Sequence, residues 1–325
     1  MKAVLCKDFA GPDGLVVEEV EPPRPADDEV LLTVHSASVN FMDNLLVSGL
    51  YQIKPDLPFV AGTDAAGEVV AVGNQVTRVK PGDRVAASNW TGAFAEEMVA
   101  KEWRVVPLPE EVDYSIGSAI LHAYSTALYA LRERGQLARG ETLVVHGAAG
   151  GVGLAAVDVG RHLGARIIGT VGSDAKKEIV REYGAEEVIN YATESIRDRV
   201  RELTGGKGAD IIYDPVGGDA FDQSIRCIAW NGRILVVGFA SGRIPQLPVN
   251  LALLKSCSVV GVFTGAWVDK FPEEHQTLSR QIMEWVAQGH LKPCVSRVMP
   301  LEQARQAMNA IAERTAIGRI VLKVR

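Results

Sequence analysis

Between residues 141 and 263 the chain alternates apolar segments with amphipathic ones, and this alternation constrains the fold more than any other feature. Six segments rich in valine and isoleucine are expected to be strands: TLVVHG, ARIIGTV, EEVINY, ADIIYD, GRILVVGF and SVVGVF. The stretches between them, such as SDAKKEIVREYG and ESIRDRVRELTG, have helical spacing. Because strands joined by helical crossovers form a doubly wound parallel sheet, the sequence predicts an α/β domain here.

The residues in front of this region follow a different pattern. In residues 1–120, alternating or β-branched runs such as EVLLTVHSASV and GTDAAGEVVAVG are separated by turns such as PGD. This pattern favours a small, barrel-like β domain. The final segment, GRIVLKV, is a strand with no helix after it, and we expect it to join that β domain. The sequence therefore predicts one domain of residues 1–120 completed by 291–325, and a second of residues 121–290.

The first strand of the α/β region runs into a glycine-rich loop, HGAAGGVGLAA, at residues 146–156. A strand, a tight loop and a helix in this order bring free N–H groups of the helix amino terminus to a pyrophosphate. The dinucleotide-binding fingerprint fits best at Ala148, Gly150 and Gly153, with alanine in the first glycine position. Its place at the first strand favours a dinucleotide site over close packing without a ligand. The residues expected at the phosphates are Ala149, Gly150, Gly151, Val152 and Gly153.

The end of the second strand indicates which dinucleotide is bound. Gly172 stands where an NAD site carries an acidic residue for the ribose hydroxyl. Ser173 and Lys176 follow and suit a 2′-phosphate, and Tyr191 ends the next strand within reach, so we expect NADPH. Asp174 is the counter-evidence, because a shift of one residue would place a carboxylate near the ribose. We expect Asp174 instead to cap the helix that follows.

Composition and cysteine spacing exclude several classes of protein. A net charge of −6 and a pI near 5.6 argue against partners such as nucleic acid or an anionic membrane. The four cysteines stand at least 30 residues apart without a C-x-x-C pair, so neither a structural zinc site nor a disulfide framework is expected. The chain has no signal-peptide pattern and no apolar run of about 20 residues. We therefore expect a cytoplasmic protein.

The motifs MKAV, PGDRV, AAGGVG, GADIIYDPVGG and GRIVLKV occur in the order found in the medium-chain dehydrogenases/reductases. The chain resembles this superfamily over essentially its whole length. Within it, VNFMDNLLVSGLY, LPFVAGTDAAG and VVGFASGRIPQLPVNLALLK are most similar to the zinc-free quinone oxidoreductases, the zeta-crystallin group, in their quinone oxidoreductase-like branch. The resemblance implies a GroES-like β domain, a Rossmann domain, and NADPH in the cleft between them.

The chain departs from the zinc-using alcohol dehydrogenases of the superfamily at their metal ligands. Asn40 replaces their catalytic cysteine, and Thr63 and Asp64 replace a histidine–glutamate pair, while His122 falls near the remaining ligand position. The cysteine-rich lobe that holds a structural zinc has no counterpart. Because a catalytic zinc needs about three protein ligands from cysteine, histidine or carboxylate, we expect no metal and no alcohol oxidation.

A quinone, or a double bond conjugated to a carbonyl, accepts hydride directly and develops charge on oxygen. Asn40 and Tyr51 match positions beside the nicotinamide pocket of quinone reductases, and we expect both to donate hydrogen bonds to that oxygen. The alternatives are a helix cap for Asn40 and a packing role for Tyr51. Leu45 replaces a second tyrosine of some relatives. By the same resemblance, the residues beside the ring are Thr126, Gly238, Phe239, Val262, Phe263 and Thr264.

These features favour an NADPH-dependent quinone reductase that works without zinc. One alternative is an enone, alkenal or enoyl-thioester reductase with the same cofactor, and another is a crystallin-like NADPH-binding protein with little turnover. The nearly uncharged last strand, SCSVVGVF, predicts a homodimer in which two Rossmann sheets join at this edge. The alternative is that the helix LSRQIMEWVAQ covers the edge.

Overall fold

The structure, a computed structural model, describes all 325 residues. The chain forms two compact units. The first unit consists of Met1–His122 and Trp267–Arg325, and the second of Ala123–Ala266.

Strands and helices occupy most of both units. The strands are β1 (Lys2–Cys6), β2 (Leu15–Glu19), β3 (Glu29–Val39), β4 (Phe59–Val60), β5 (Asp64–Val72), β6 (Arg84–Ser88), β7 (Glu97–Lys101), β8 (Val105–Pro107), β9 (Thr142–Val145), β10 (Arg166–Val171), β11 (Glu187–Asn190), β12 (Ala209–Asp214), β13 (Ile228–Val236), β14 (Ser258–Gly261), β15 (Val295–Pro300) and β16 (Arg319–Lys323). The helices are α1 (Phe41–Val47), α2 (Tyr114–Ser118), α3 (Leu121–Leu128), α4 (Gly151–His162), α5 (Lys177–Glu182), α6 (Ile196–Leu203), α7 (Gly218–Cys227), α8 (Val249–Lys255), α9 (Thr264–Lys270), α10 (Pro272–Ala287) and α11 (Ala304–Ala312). None of these helices has the length and apolar character needed to cross a membrane.

The second unit is built on a six-stranded sheet in which every strand pairs in parallel with its neighbour. The strand order is β11-β10-β9-β12-β13-β14, so the chain starts in the middle and winds outward in both directions. Val144, Ile168 and Ile212 on the three central strands are fully buried and form part of its core. The predicted Rossmann sheet is confirmed. Its ligand crevice is expected at the carboxyl ends of β9 and β12, where the strand order reverses.

The first unit is built around β3, the longest strand. β3 pairs antiparallel with β5, β7 and β16, within a sheet whose main order is β15-β16-β3-β5-β6-β8. The last strand of the chain therefore joins the amino-terminal sheet, as expected from GRIVLKV, and Val321 lies opposite Ser38. This arrangement confirms the GroES-like β fold.

Residues 267–290 belong to the first unit, although the sequence placed them in the second domain. The reason is a set of contacts that sequence periodicity does not reveal. The buried side chain of Gln276 on α10 donates hydrogen bonds to the carbonyl oxygens of Trp103 at 3.0 Å and Val105 at 2.8 Å. Helix α10 is therefore tied to the start of β8.

Candidate active site

The glycine-rich loop joins β9 to α4 and permits a very close backbone approach. Gly150 precedes the helix, and Gly147 has a positive φ of 58°. A Cβ atom on Gly153 would lie 2.2 Å from the carbonyl oxygen of Gly147, so no other residue fits there without a backbone shift. The N–H of Ala148 donates to the carbonyl of Thr170 at 3.0 Å and ties the loop to β10. The amino terminus of α4 is thus held at the position expected for a pyrophosphate.

His146 anchors the start of this loop. Its Nδ1 lies 3.1 Å from Thr170 Oγ1, and its Nε2 lies 2.7 Å from Ser224 Oγ. The Ser224 hydroxyl donates to the carbonyl of Ala220, so Ser224 Oγ accepts from Nε2–H and Nδ1 accepts from the Thr170 hydroxyl. Burial lowers the pKa of His146, which favours the neutral tautomer that these partners require.

The residues predicted to bind a 2′-phosphate follow β10 and β11. A Cβ atom on Gly172 would lie 2.7 Å from the hydroxyl oxygen of Tyr191, so the acidic side chain of an NAD site would require Tyr191 to move. The backbone N–H of Lys176 donates to the carbonyl of Ser173 at 3.2 Å, which brings these two residues into one turn. Burial lowers the pKa of Lys176, as expected for an ammonium that is partly withdrawn from water.

Asp174 does not cap the following helix, and that prediction is wrong. Asp174 begins a 3₁₀ turn, and α5 begins only at Lys177. Its carboxylate instead accepts from Asn190 Nδ2 at 3.1 Å and pairs with the Lys177 ammonium at 2.9 Å. These two partners lower the pKa of Asp174. A carboxylate that already has two partners is less available to bind a ribose.

The predicted nicotinamide residues follow two neighbouring strands of the same sheet. The N–H of Gly238 donates to the carbonyl of Asp214 at 3.3 Å, and the N–H of Val262 donates to that of Val236 at 2.9 Å. These bonds hold the carboxyl ends of β13 and β14 beside that of β12. Thr126 lies on α3 and is buried. The predicted residues at this edge of the sheet are Gly238, Phe239, Val262, Phe263 and Thr264.

In the first unit, Asn40 is buried; both N–H groups of its side-chain amide have protein partners, and its Oδ1 accepts no hydrogen bond within the protein. As the cap of α1, its backbone N–H donates to Asp43 Oδ2 at 2.7 Å. Its side-chain Nδ2 donates to Thr63 Oγ1 at 3.0 Å and to Asp64 Oδ2 at 3.1 Å, and the carboxylate determines which end of the amide is the donor. Both amide N–H groups are used within the protein. An acceptor could take a hydrogen bond from Nδ2 only by displacing Thr63 or Asp64, and the donor role of Asn40 toward a substrate stays a prediction.

Asp64 also forms an ion pair with Arg319 of the closing strand. Arg319 Nη2 donates to Asp64 Oδ2 at 3.2 Å, and the two side chains are 6% and 1% exposed. His122 lies near enough for both charges to influence it, although burial is the main reason that its pKa is lowered. Burial also raises the pKa of Asp43 to about 7. Arg319 was not among the predicted site residues; the available signal was an arginine at the start of an otherwise apolar strand.

These residues do not fit a catalytic zinc. Asn40 and Thr63 offer no thiolate or imidazole, and Arg319 already pairs with Oδ2 of Asp64. Among the residues at the ligand positions, His122 is the one histidine or cysteine. No three histidine, cysteine or acidic residues anywhere in the structure are grouped so that they could hold a metal ion.

Tyr51 lies in the segment between α1 and β4, against Trp90. The ring centroids are 6.2 Å apart and the planes are tilted by 45°. The guanidinium of Arg104 lies 5.1 Å from the centroid of Trp90. Burial raises the pKa of Tyr51, so its hydroxyl stays protonated at neutral pH and is able to donate. Trp90 and Arg104 were not identified from the sequence, because their proximity to Tyr51 depends on the fold.

Comparisons with known proteins agree with this architecture. The model of the alcohol dehydrogenase GroES-like domain matches residues 26–110, and that of the zinc-binding dehydrogenases matches residues 151–280. The quinone oxidoreductase-like protein 2 homolog of Nematostella vectensis is 40% identical over 328 residues, which cover 100% of this chain and 89% of that protein. The quinone oxidoreductase of Pseudomonas aeruginosa is 37% identical over 318 residues, which cover 97% of each chain.

A solved structure of Escherichia coli quinone oxidoreductase complexed with NADPH matches this chain with a TM-score of 0.93 and 30% identity, covering 100% of both chains. The similarity thus extends over both units in sequence and in fold. The chain is an oxidoreductase of the medium-chain dehydrogenase/reductase superfamily and belongs to its quinone oxidoreductase-like family.

Proposed function

We propose that this protein is an NADPH-dependent quinone reductase that works without zinc. Hydride passes from the nicotinamide to the quinone, one proton is added from water, and the products are NADP⁺ and the hydroquinone. The observation that carries the proposal is the buried Asp64–Arg319 ion pair, because it sets a guanidinium against Asp64, whose position corresponds by resemblance to a metal ligand of the zinc-using relatives. An acceptor that needs no Lewis acid suits such a site, and a quinone is one.

Two observations support NADPH as the cofactor. The hydroxyl oxygen of Tyr191 would lie 2.7 Å from a Cβ atom on Gly172, so an acidic side chain at the ribose would have to displace Tyr191. Ser173 and Lys176 supply a hydroxyl and a cation next to that position, as a 2′-phosphate requires. When bound, NADPH supplies the hydride. Gly150, Gly151 and Gly153 hold its pyrophosphate in this proposal, and the residues that follow β13 and β14 flank its nicotinamide.

Tyr51 is the residue that we propose as hydrogen-bond donor to the acceptor. As hydride arrives, negative charge develops on the quinone oxygen, and a phenol hydroxyl stabilises it. In this proposal Asn40 helps to position the site, because its side chain joins the start of α1 to Thr63 and Asp64. A reductase for enones would need the same donor, so the acceptor must be identified by experiment.

The experiment is NADPH oxidation by the purified protein with 1,4-benzoquinone, with 2-cyclohexen-1-one and without an acceptor, with NADH run beside each. A quinone preference, with NADPH used better than NADH and no loss of rate after EDTA treatment, is the expected result. Faster turnover of the enone would identify a double-bond reductase. Binding of NADPH without turnover of either acceptor would identify a crystallin-like protein, and loss of rate with EDTA would contradict zinc independence.

We also propose that two copies join through the edge of the six-stranded sheet. β14 is the last strand on its side of that sheet. The preceding helix, α8, leaves Val249, Leu253 and Leu254 at least two-thirds exposed. Sedimentation velocity is expected to give twice the mass of one chain, and a species of 34.9 kDa would contradict the dimer.

A further inference from the structure

We propose that Trp90 determines acceptor specificity and that its indole ring binds the flat ring system of an aromatic quinone. The inference rests on the proposed function, because it names the class of acceptor that the same site prefers. Its basis is the position of Trp90, the buried guanidinium of Arg104 that Asp269 holds against its ring, and the tyrosine beside it.

The backbone of Trp90 is fixed to the strands that carry the candidate site. Trp90 follows β6, whose last residue, Ser88, lies opposite Asp64 in β5. Asn89 stands between Ser88 and Trp90 in the chain, and its N–H donates to the carbonyl of Thr63 at 2.8 Å. The side chain of Asn89 donates to the carbonyl of Val99 at 3.2 Å and accepts from the N–H of Trp90 at 2.9 Å. Trp90 therefore keeps a constant position relative to Thr63 and Asp64.

Arg104 holds one side of the indole. Its side chain is 6% exposed, its Nη2 lies 2.7 Å from both carboxylate oxygens of Asp269, and its Nε lies 3.0 Å from Oδ1. Its Nη1 donates to the carbonyl of Ser88 at 3.3 Å. A guanidinium held by so many partners is not free to recruit a charged substrate. It instead supports the indole by a cation–π contact at 5.1 Å.

Tyr51 completes an angled aromatic wall. Its ring and that of Trp90 are tilted by 45° and are both half-buried, so each keeps part of its surface exposed. Tyr51 is also the proposed donor to the acceptor oxygen. A quinone that accepts this hydrogen bond lies beside the electron-rich indole, and an electron-poor ring system stacks favourably there. Because stacking area grows with the number of fused rings, large quinones gain more than small ones.

The test compares wild type, Trp90→Ala and Trp90→Phe with three acceptors: 9,10-phenanthrenequinone with three fused rings, 1,4-benzoquinone with one ring, and 2-cyclohexen-1-one without an aromatic or quinonoid ring. For Trp90→Ala we expect the KM to rise about tenfold for phenanthrenequinone, about threefold for benzoquinone and less than twofold for the enone. The kcat and the KM for NADPH are expected to stay within about twofold. Trp90→Phe is expected to restore most of the loss.

Trp230→Ala is the matched control, since this tryptophan is 68% exposed on β13 in the other unit. It is expected to change none of the three KM values. An equal rise for all acceptors, or a fall in kcat that phenylalanine does not restore, would show that Trp90 has only a structural role and would overturn the inference.

Equilibrium dialysis separates failure of this inference from failure of the proposed function. The protein is dialysed against 9,10-phenanthrenequinone without NADPH, so that no turnover occurs. If wild type reduces no quinone, the proposed function fails, and the dialysis alone then decides the role of Trp90. Binding about tenfold weaker in Trp90→Ala than in wild type supports the inference. Equal binding, or no binding to either protein, contradicts it.

Discussion

The guanidinium of Arg319 donates a hydrogen bond to the carboxylate of Asp64 across 3.2 Å, between residues that are 255 positions apart. Both side chains are buried, and the strands that carry them, β16 and β5, lie on either side of β3. The same carboxylate oxygen accepts from Asn40. The closing strand thus supplies the positive charge that balances a buried acid in the amino-terminal β domain.

Replacing Arg319 by methionine leaves Asp64 buried without its counter-ion. We expect the free energy of unfolding to fall by about 3–5 kcal/mol, measured by urea denaturation. In the double variant Asp64→Asn/Arg319→Met neither charge of this pair remains, so no counter-ion is missing and most of this stability returns. Arg297→Gln is the matched control, because Arg297 is exposed on the adjacent strand β15. A loss no larger than that of the control would mean that the ion pair is not important for stability.

Asp43 gives the stability of the protein a pH dependence of unusual sign. Burial raises its pKa from 3.8 to about 7, so between these values the folded state retains a proton that the unfolded state has released. Its contribution to stability is therefore lost as the pH rises through this window, with a slope of at most about 1.4 kcal/mol per pH unit. Asp43→Asn keeps an oxygen for the Asn40 N–H and removes the titration. Its stability relative to wild type should increase from pH 4 to pH 7, and a constant difference would contradict this assignment.

His275 gives the stability of the protein the opposite pH dependence. Burial lowers its pKa from 6.5 to about 4, with the nearby Arg104 contributing, so between these values the unfolded state binds the extra proton. Stability due to His275 is therefore gained as the pH rises from 4 to 6.5, again by at most about 1.4 kcal/mol per pH unit. We expect His275→Gln to be favoured relative to wild type at pH 4 and to lose that advantage by pH 7. Unfolding curves of the two proteins at both pH values provide the measurement.

Lys176 and Lys177 provide a matched pair for testing the nucleotide preference. Lys177 is already held by Asp174 at 2.9 Å and Glu194 at 3.4 Å. Lys176→Ala should raise the KM for NADPH by about tenfold or more, as expected for loss of a charge-assisted hydrogen bond, and leave the KM for NADH within about twofold. Lys177→Ala should affect neither. A similar rise for both cofactors in Lys176→Ala would exclude a role in binding the 2′-phosphate.

Tyr51→Phe removes only the hydroxyl that we propose as donor. We expect kcat with a quinone to fall about a hundredfold while the KM for NADPH stays unchanged. Because burial raises the pKa of Tyr51, the wild-type rate should show no alkaline decline from this group below its ordinary pKa of about 10. Tyr114→Phe is the control, since the Tyr114 ring stacks on His35 and retains that contact without its hydroxyl. Equal rates in both variants would assign Tyr51 to packing alone.

The local sequence was enough to predict the strands of the second unit and the fold that they form. All six predicted strands are present, because periodic apolar segments report burial directly and burial is what stabilises a parallel sheet. The sequence also predicted a close backbone approach in the glycine-rich loop, although only the structure shows that Gly153 approaches Gly147. The role of Asp174 was not predicted, because its partner Asn190 belongs to the next strand.

Only the tertiary structure decided the chemistry of the first unit. The sequence indicated which zinc ligands were missing, but neither the pairing of Asp64 with Arg319 nor the use of both Asn40 amide hydrogens leaves a periodic signal. The same holds for Arg104 beneath Trp90 and for helix α10 at the start of β8. Hydrophobic pattern is a property of neighbouring residues along the chain. Buried polar contacts depend instead on which distant strands the fold brings side by side.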